Sequence, residues 1–329
     1  MNVAIKLPNL LQHRVLCFPM LHQLYKYLSE KLEEGEILNI HLFSIKSDIE
    51  VLNLLPFHAY YHELELGDLK NVFTAHRACT QIRMELNLDL YISTTESFVD
   101  ASFGFLLKAK KKLGFKIPRN SIFLNSYISP EPLSDIYIDK IYTLLDGVML
   151  DGDTVPKMRS IISREIDPLF KSHTQTYIVI DLPLVKGEID PEWKDLFSLC
   201  VGIEFVLMCS KLDPINAKIE LKQYIEALAP QNNYKIFEHN SKIDFAKLCK
   251  GASYFIGNWS DYSLINNYIS GTNLLTSNTY PQKELECFVG KNIEVVAPGV
   301  SKGSDKYYNY IFDNIITKVE SIPKEIKND

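Results

Sequence analysis

His13 stands four residues after Asn9 in the run Lys6-Leu7-Pro8-Asn9. An imidazole with an ordinary pKa of about 6.5 can exchange a proton near neutral pH. It is either a proton carrier or a surface-loop histidine. Arg14 beside it either meets an anion or is a solvated loop charge. A second stretch, Gly257-Asn258-Trp259-Ser260-Asp261-Tyr262, lies between a strand signal and a helix signal. Backbone N–H groups at such a helix start can hold a diphosphate. Asp261 acts against that reading, because a carboxylate there repels phosphate and caps the helix itself. Trp259 either stacks on a base or sugar or fills space. Glu238, His239, Asn240 and Ser241 follow a strand signal and can line a nucleoside end. Lys108, Lys110, Lys111, Lys112 and Lys116 form the one dense basic cluster. It either meets phosphates or an anionic membrane surface, or is a solvated helix end whose lysines complement the helix dipole.

The elements that must carry these residues alternate between two periodicities. Residues 3–7 form a short apolar run, a first buried strand. Residues 19–32 have apolar positions at helical spacing (Met20, Leu21, Leu24, Leu28, Leu32), with Gly35 as a stop. Residues 37–45 predict a second strand, 71–86 a helix, 88–93 a strand, 98–107 an apolar helix with 108–112 as its basic tail, and 130–145 a further helix. The pattern restarts after the polar stretch 171–175. Strands are expected at 176–182, 204–209, 234–237, 254–256 and 273–277. Helices are expected at 192–200, 219–228, 243–250, 261–269 and 307–322. Repeated strand–helix alternation in both halves implies two parallel-sheet domains, 1–170 and 171–329. Ligands of such folds sit beyond the carboxyl ends of the strands, which places a site in a cleft between the two.

Composition narrows the class. The 329 residues are 46% hydrophobic and 23% charged, which is ordinary globular composition and excludes disorder or a disulfide scaffold. A formal charge of −6 argues against a nucleic-acid binder. The six cysteines sit apart in apolar runs with no C-x-x-C, so they read as buried thiols of a reducing compartment. The histidines 41, 58, 62, 76 and 173 have no metal-site spacing. No P-loop, G-x-G-x-x-G, G-x-S-x-G or H-E-x-x-H occurs. The first 14 residues do not read as a secretory signal, and no apolar stretch is long enough to span a membrane.

Residues 6–21, K-L-P-N-L-L-Q-H-R-V-L-C-F-P-M-L, resemble the opening of the lipopolysaccharide heptosyltransferases, glycosyltransferase family 9, whose usual form is R-L-P-N-x-x-G-D-x-x-x-x-x-P-x-L. Leu7, Pro8, Asn9, Pro19 and Leu21 match without gaps. Ser97, Phe98, Ala101, Gly114 and Phe115 match the family's S-F-R-S-A stretch and the later I-G-Y/F-R. Gly257, Asn258 and Ser260 match its donor loop G-N-D-S/T-G, with one extra residue needed to reach Gly271. The departures fall on the chemistry. The family's Gly-Asp becomes Gln12-His13, its Arg becomes Val99, and its donor-loop Asp, Gly and His become Trp259, Asp261 and Leu264. Its H-P-G-x-S/T motif is reduced to Asp181-Leu182-Pro183 with Lys186 nearby.

The resemblance implies an α/β fold of GT-B type, two Rossmann-like parallel-sheet domains facing a cleft, with the closing C-terminal helix packing back toward the first lobe. It implies inverting transfer of a sugar from a nucleotide-sugar, ADP-linked in the type case, to an envelope glycan acceptor, a glycolipid or oligosaccharide. The alternative is a catalytically silent relative that binds a glycan, nucleotide or protein; a nucleotide-sugar epimerase of related shape is a third. His13 takes the place of the family's base. Lys186, Gly257, Asn258, Ser260, Asp261 and Tyr262 fall on the donor side, and Asn9, Arg14, Ser97 and Lys111 on the acceptor side. No metal and no cofactor are implied, and no nucleic acid. The expected location is cytoplasmic, with peripheral contact to the inner membrane face through the lysine cluster.

Overall fold

The computed structural model describes residues 1–83, 86–129, 137–149, 153, 165–169, 177–181, 203–210, 234–239, 241–257, 259–269, 271–275, 293–295, 313, 316–318 and 321. The chain divides into two compact units, Met1–Arg164 and Glu165–Asp329.

In the first unit the strands are β1 (Asn2–Lys6), β2 (Asn39–Ile45), β3 (Tyr60–Leu64), β4 (Leu90–Ser93), β5 (Lys111–Phe115) and β6 (Ser126–Ile128). They form one sheet in the order β3-β2-β1-β4-β5-β6, parallel throughout. β1 is buried from Val3 onward because it lies at the centre of a sheet covered by helices. The helices are α1 (Leu11–Leu16), α2 (Phe18–Lys31), α3 (Val72–Arg83), α4 (Phe98–Leu106) and α5 (Tyr137–Asp146). Met20, Leu21, Leu24 and Leu28 of α2 are buried, the helical face that their spacing predicts.

The second unit repeats the plan. Its strands are β7 (Tyr177–Ile180), β8 (Glu204–Ser210), β9 (Tyr234–His239), β10 (Tyr254–Gly257), β11 (Asn273–Leu275) and β12 (Ile293–Val295), in the parallel order β12-β11-β10-β7-β8-β9. Its described helices are α6 (Lys242–Lys250) and α7 (Asp261–Tyr268). In both sheets the first strand of the unit sits beside the fourth, so chain direction across the sheet reverses there. This is the dinucleotide-fold order, and such a reversal opens a crevice at the strands' carboxyl ends.

Three local expectations are corrected. His13 and Arg14 lie on α1 rather than on a loop, because Leu11, Val15 and Leu16 supply a short buried face. Lys111 and Lys112 begin β5 rather than ending α4: Lys108 turns the chain with a left-handed φ of 58°, and Leu90 pairs with Lys111 across the sheet. β3 escapes sequence reading because it is an edge strand whose first four residues are not buried, leaving no apolar run. The helices expected at 192–200 and 219–228 lie outside the described residues. So does the closing helix at 307–322, apart from 313, 316–318 and 321.

β3 is held to β2 partly by imidazoles. His41 Nδ1 and His62 Nε2 are 3.1 Å apart, the His62 ring stacks on Phe43, and the His41 ring stacks on Tyr60. Burial and the neighbouring His62 push the pKa of His41 down to about 4, and burial lowers His62 as well. The fold therefore favours the neutral rings. Their contribution is complete above about pH 6.5, the unfolded value, and is lost as pH falls from there toward the folded value of about 4. Urea midpoints measured from pH 7 to pH 4 should fall through that window, and His41→Gln should flatten the fall. An equal pH slope in both proteins would contradict this.

Candidate functional site

In the first unit the crevice opens where β1 and β4 end. Past β1 the chain runs Leu7-Pro8-Asn9; past β4 it runs Thr94-Thr95-Glu96. Beneath them Lys6, the last residue of β1, is fully buried and faces Asp100 of α4, also buried, at 3.7 Å. The Lys6 ammonium also donates to Leu7 O at 2.6 Å and Asn9 Oδ1 at 3.1 Å. Asp100 accepts from Thr95 Oγ1 at 2.6 Å, and Thr94 Oγ1 donates to Lys6 O at 2.7 Å. Burial pulls the Lys6 ammonium below its usual pKa, while the Asp100 carboxylate opposes that shift. Tyr91 of β4 donates to the Asp100 carbonyl, and α4 comes close enough because position 104 is glycine: a Cβ there would collide with the Tyr91 ring.

Above this floor lies a cavity of about 250 Å³ lined by Asn9, His13, Thr94, Thr95, Glu96 and Lys140, with Phe115 and Tyr137 among its apolar walls. His13 is half-buried and stacks on Tyr137, with ring centroids 4.1 Å apart. Burial holds its imidazole below the usual histidine pKa, so at neutral pH it is uncharged and able to accept a proton. Lys140 of α5 pairs with Glu96 and lies over the Phe115 ring, 5.3 Å from its centroid. The Lys140 ammonium is lowered by burial. Cys17, behind Tyr137, is fully buried with its pKa pushed up to about 12, chiefly by burial, which leaves it a thiol.

Of the residues expected on the acceptor side, Asn9 and His13 meet in this cavity. Ser97 is the exposed N-cap of α4, accepting from Asp100 N at 3.2 Å. Arg14 is not a solvated loop charge. It is 1% exposed and donates to Pro8 O, Asn9 O, Ser47 O and Asp48 O at 2.9–3.4 Å, pinning the β1–α1 turn to the turn after β2. Lys111 starts β5, at the opposite end from the crevice, and its ammonium donates to Gly147 O at 2.7 Å. Sequence reading missed Lys6, Glu96, Asp100, Tyr137 and Lys140. Lys6 carried a legible signal, a charge closing an otherwise apolar central strand. Lys140 carried none, since its place depends on how α5 docks.

In the second unit β7 and β10 end side by side. Asp181 N donates to Ile256 O at 2.9 Å, and a Cβ on Gly257 would lie 3.1 Å from Asp181 Cβ. Ser260 is the N-cap of α7, and Ser263 Oγ accepts from Ser260 N at 2.9 Å. Asp261 is the first residue of α7. Tyr262 turns toward α6, packing on Phe245 at 4.8 Å with the Lys242 ammonium 3.6 Å from its ring centroid. Gly257, Ser260 and Asp261 therefore share this strand–helix junction. Lys186, Asn258 and the side chains of Glu238 and His239 lie outside the described residues.

A larger groove of about 670 Å³ runs between β3 and α3, lined by His62, Glu63, Asp68 and Arg77. It lies at the sheet's edge, away from the strand reversal. Among the described residues no cluster of three or more His, Cys, Asp or Glu is arranged to hold a metal, and no helix is long and apolar enough to cross a membrane.

No protein-family model and no curated protein matches the sequence. Solved structures do. The Escherichia coli heptosyltransferase WaaC with ADP-2-deoxy-2-fluoro heptose is 16% identical at a TM-score of 0.69, over 97% of this chain and 100% of that one. A glycosyltransferase family 9 protein from Veillonella parvula is 10% identical at a TM-score of 0.71, over 97% and 96%. A UDP-GlcNAc 2-epimerase from Neisseria meningitidis bound to UDP-GlcNAc is 12% identical at 0.53, over 98% and 95%. The chain thus has the α/β fold of the heptosyltransferase structures across nearly its whole length, and resembles the epimerase less closely.

Removing one partner of a buried ion pair leaves the other charge uncompensated, at a cost of about 3–5 kcal/mol. Lys6→Met should lower stability to chemical denaturation by about that much, and Lys6→Met with Asp100→Leu by less. A single variant as stable as the parent would show that the pair does not hold this floor.

Proposed function

We infer that the protein is an inverting glycosyltransferase of the heptosyltransferase kind, moving a sugar from a nucleotide-sugar to a hydroxyl of a glycan acceptor. The observation that carries this reading is His13: a neutral imidazole in the cavity at the strand reversal of the first unit, within a chain that has the fold of glycosyltransferase structures. The donor class rests on the same likeness, since the WaaC structure holds an ADP-linked fluoroheptose. An ADP-sugar is therefore the first donor to test. The acceptor is an envelope glycolipid or oligosaccharide. The reaction asks for no resident cofactor.

The step is a displacement at the anomeric carbon. His13 takes the proton of the acceptor hydroxyl, and the freed oxygen forms a bond to that carbon. The bond to the diphosphate oxygen breaks, and the nucleoside diphosphate leaves with the electron pair. The backbone N–H groups at the start of α7, beside Gly257 and Ser260, are suited to hold that diphosphate. Asp261 weakens the grip. Two unit charges about 4 Å apart repel by about 4 kcal/mol at an effective dielectric of 20, before screening.

His13→Ala should lower turnover about 10²–10⁴-fold with little change in donor affinity, measured as release of ADP from an ADP-sugar in the presence of saccharide acceptor. Unchanged turnover would remove His13 from the mechanism. Asp261→Gly should tighten ADP binding in calorimetry by about tenfold or more, the change that 1.4 kcal/mol produces. Tight binding by the unmodified protein that the substitution leaves alone would place the phosphates elsewhere.

A further inference from the structure

The side chains around the first-unit cavity fix the charge of what can enter it. Its lining holds one carboxylate and one ammonium, Glu96 and Lys140, and they pair with each other. His13, the third titratable group with a proton near neutral pH, is neutral for the reason given above. The two cations just behind the lining are committed to the protein. Lys6 is buried against Asp100, Leu7 O and Asn9 Oδ1, and Arg14 is spent on four backbone carbonyls. Lys111 is at the far end of its strand. A phosphate or carboxylate entering here would meet no uncommitted cation among the described lining residues, and would meet the Glu96 carboxylate.

What the cavity does offer is short-range polar contact beside apolar walls. Asn9 is exposed, and because its Oδ1 accepts from Lys6, its amide N–H groups remain to donate. Thr95, half-buried, gives its hydroxyl proton to Asp100 and accepts from Ser97 N, which leaves its oxygen one lone pair to offer. Exposed Leu10 and half-buried Tyr137 line the wall, where the C–H groups of a sugar ring can pack. Donors and acceptors interleaved with aromatic surface suit a ring that carries hydroxyls and an apolar face.

We propose that the part of the acceptor seated in this cavity is an uncharged polyhydroxylated ring, a neutral sugar, and not a phosphorylated or carboxylated one. This rests on the glycosyltransferase reading of the site. It overturns the acceptor-side roles that the sequence gives Arg14 and Lys111, both of which presume an anion.

The test uses the full chain and saturation-transfer NMR. The probes are methyl glycosides of glucose, galactose and mannose, each compared with its 6-phosphate and its uronate. The parent protein should bind uncharged members in preference to their anionic counterparts. Glu96→Gln removes the repelling carboxylate and frees Lys140, so it should shift the ratio about tenfold toward the 6-phosphates, as expected for one screened charge contact. Parent protein that prefers the 6-phosphates or uronates overturns the proposal, as does a ratio that Glu96→Gln leaves unchanged or binding of none of the three forms. Release of nucleoside diphosphate from a nucleotide-sugar by slow transfer to water is measured alongside. That release needs no sugar acceptor, so its presence with an anionic preference defeats the neutral-sugar proposal alone. Its absence counts against the glycosyltransferase reading.

Discussion

The first unit is organised around a charge buried away from its surface. Lys6 ends the central strand, fully buried, where an unpaired ammonium would be costly. Asp100 supplies the counter-charge, and Leu7 O and Asn9 Oδ1 accept hydrogen bonds from the ammonium. Each partner belongs to a different part of the crevice: Leu7 and Asn9 to the turn after β1, Asp100 to α4. Thr95 adds the turn after β4. The geometry of both turns thus depends on one buried pair. That pair in turn depends on Gly104, which lets α4 lie against Tyr91. The cavity above is shaped by these constraints before any ligand arrives.

Arg14 extends the same logic. Its guanidinium binds carbonyls on both sides of the β1–α1 turn and on the turn after β2. An arginine used this way fixes backbone, and it brings no free positive charge to the cavity surface. With Lys140 and Glu96 paired, the described lining is close to neutral, and His13 stays uncharged in its half-buried place against Tyr137. On the proposed reading neutrality suits His13, since a nearby uncommitted cation would depress the basicity of a proton acceptor further.

Most of the architecture was legible in the sequence, because periodicity reports burial. The apolar runs at β1, β2, β4, β7, β8 and β10 and the spaced apolar positions of α2, α4, α6 and α7 are where the sequence reading puts strands and helices. Elements whose burial leaves no periodic trace were not legible: β3 is an exposed edge, β5 opens on lysines before its three buried residues, and α1 is too short to show a period. The site was legible where it rests on local chain order. Pro8, Asn9 and His13 follow the first strand directly, and Gly257, Ser260 and Asp261 stand between a strand and a helix. It was not legible where it rests on long-range packing. Glu96 meets Lys140 only because the turn after β4 and α5 converge. Arg14 shows the other failure: residue type alone does not say whether an arginine faces a ligand or the backbone.

On the proposed mechanism, the group at position 13 takes the acceptor's proton. The most direct measurement is the pH dependence of nucleoside diphosphate release from a nucleotide-sugar with saccharide acceptor present, compared between the parent protein and His13→Asp. A general base must be unprotonated to act, so the acid limb of the profile follows its pKa. The parent should show that limb below pH 6.5, in line with the lowered imidazole. In His13→Asp that limb should move down, toward the ordinary carboxylate range. An acid limb at the same pH in both proteins, or release from none of the ADP-, UDP-, GDP- and dTDP-sugars, would contradict the account.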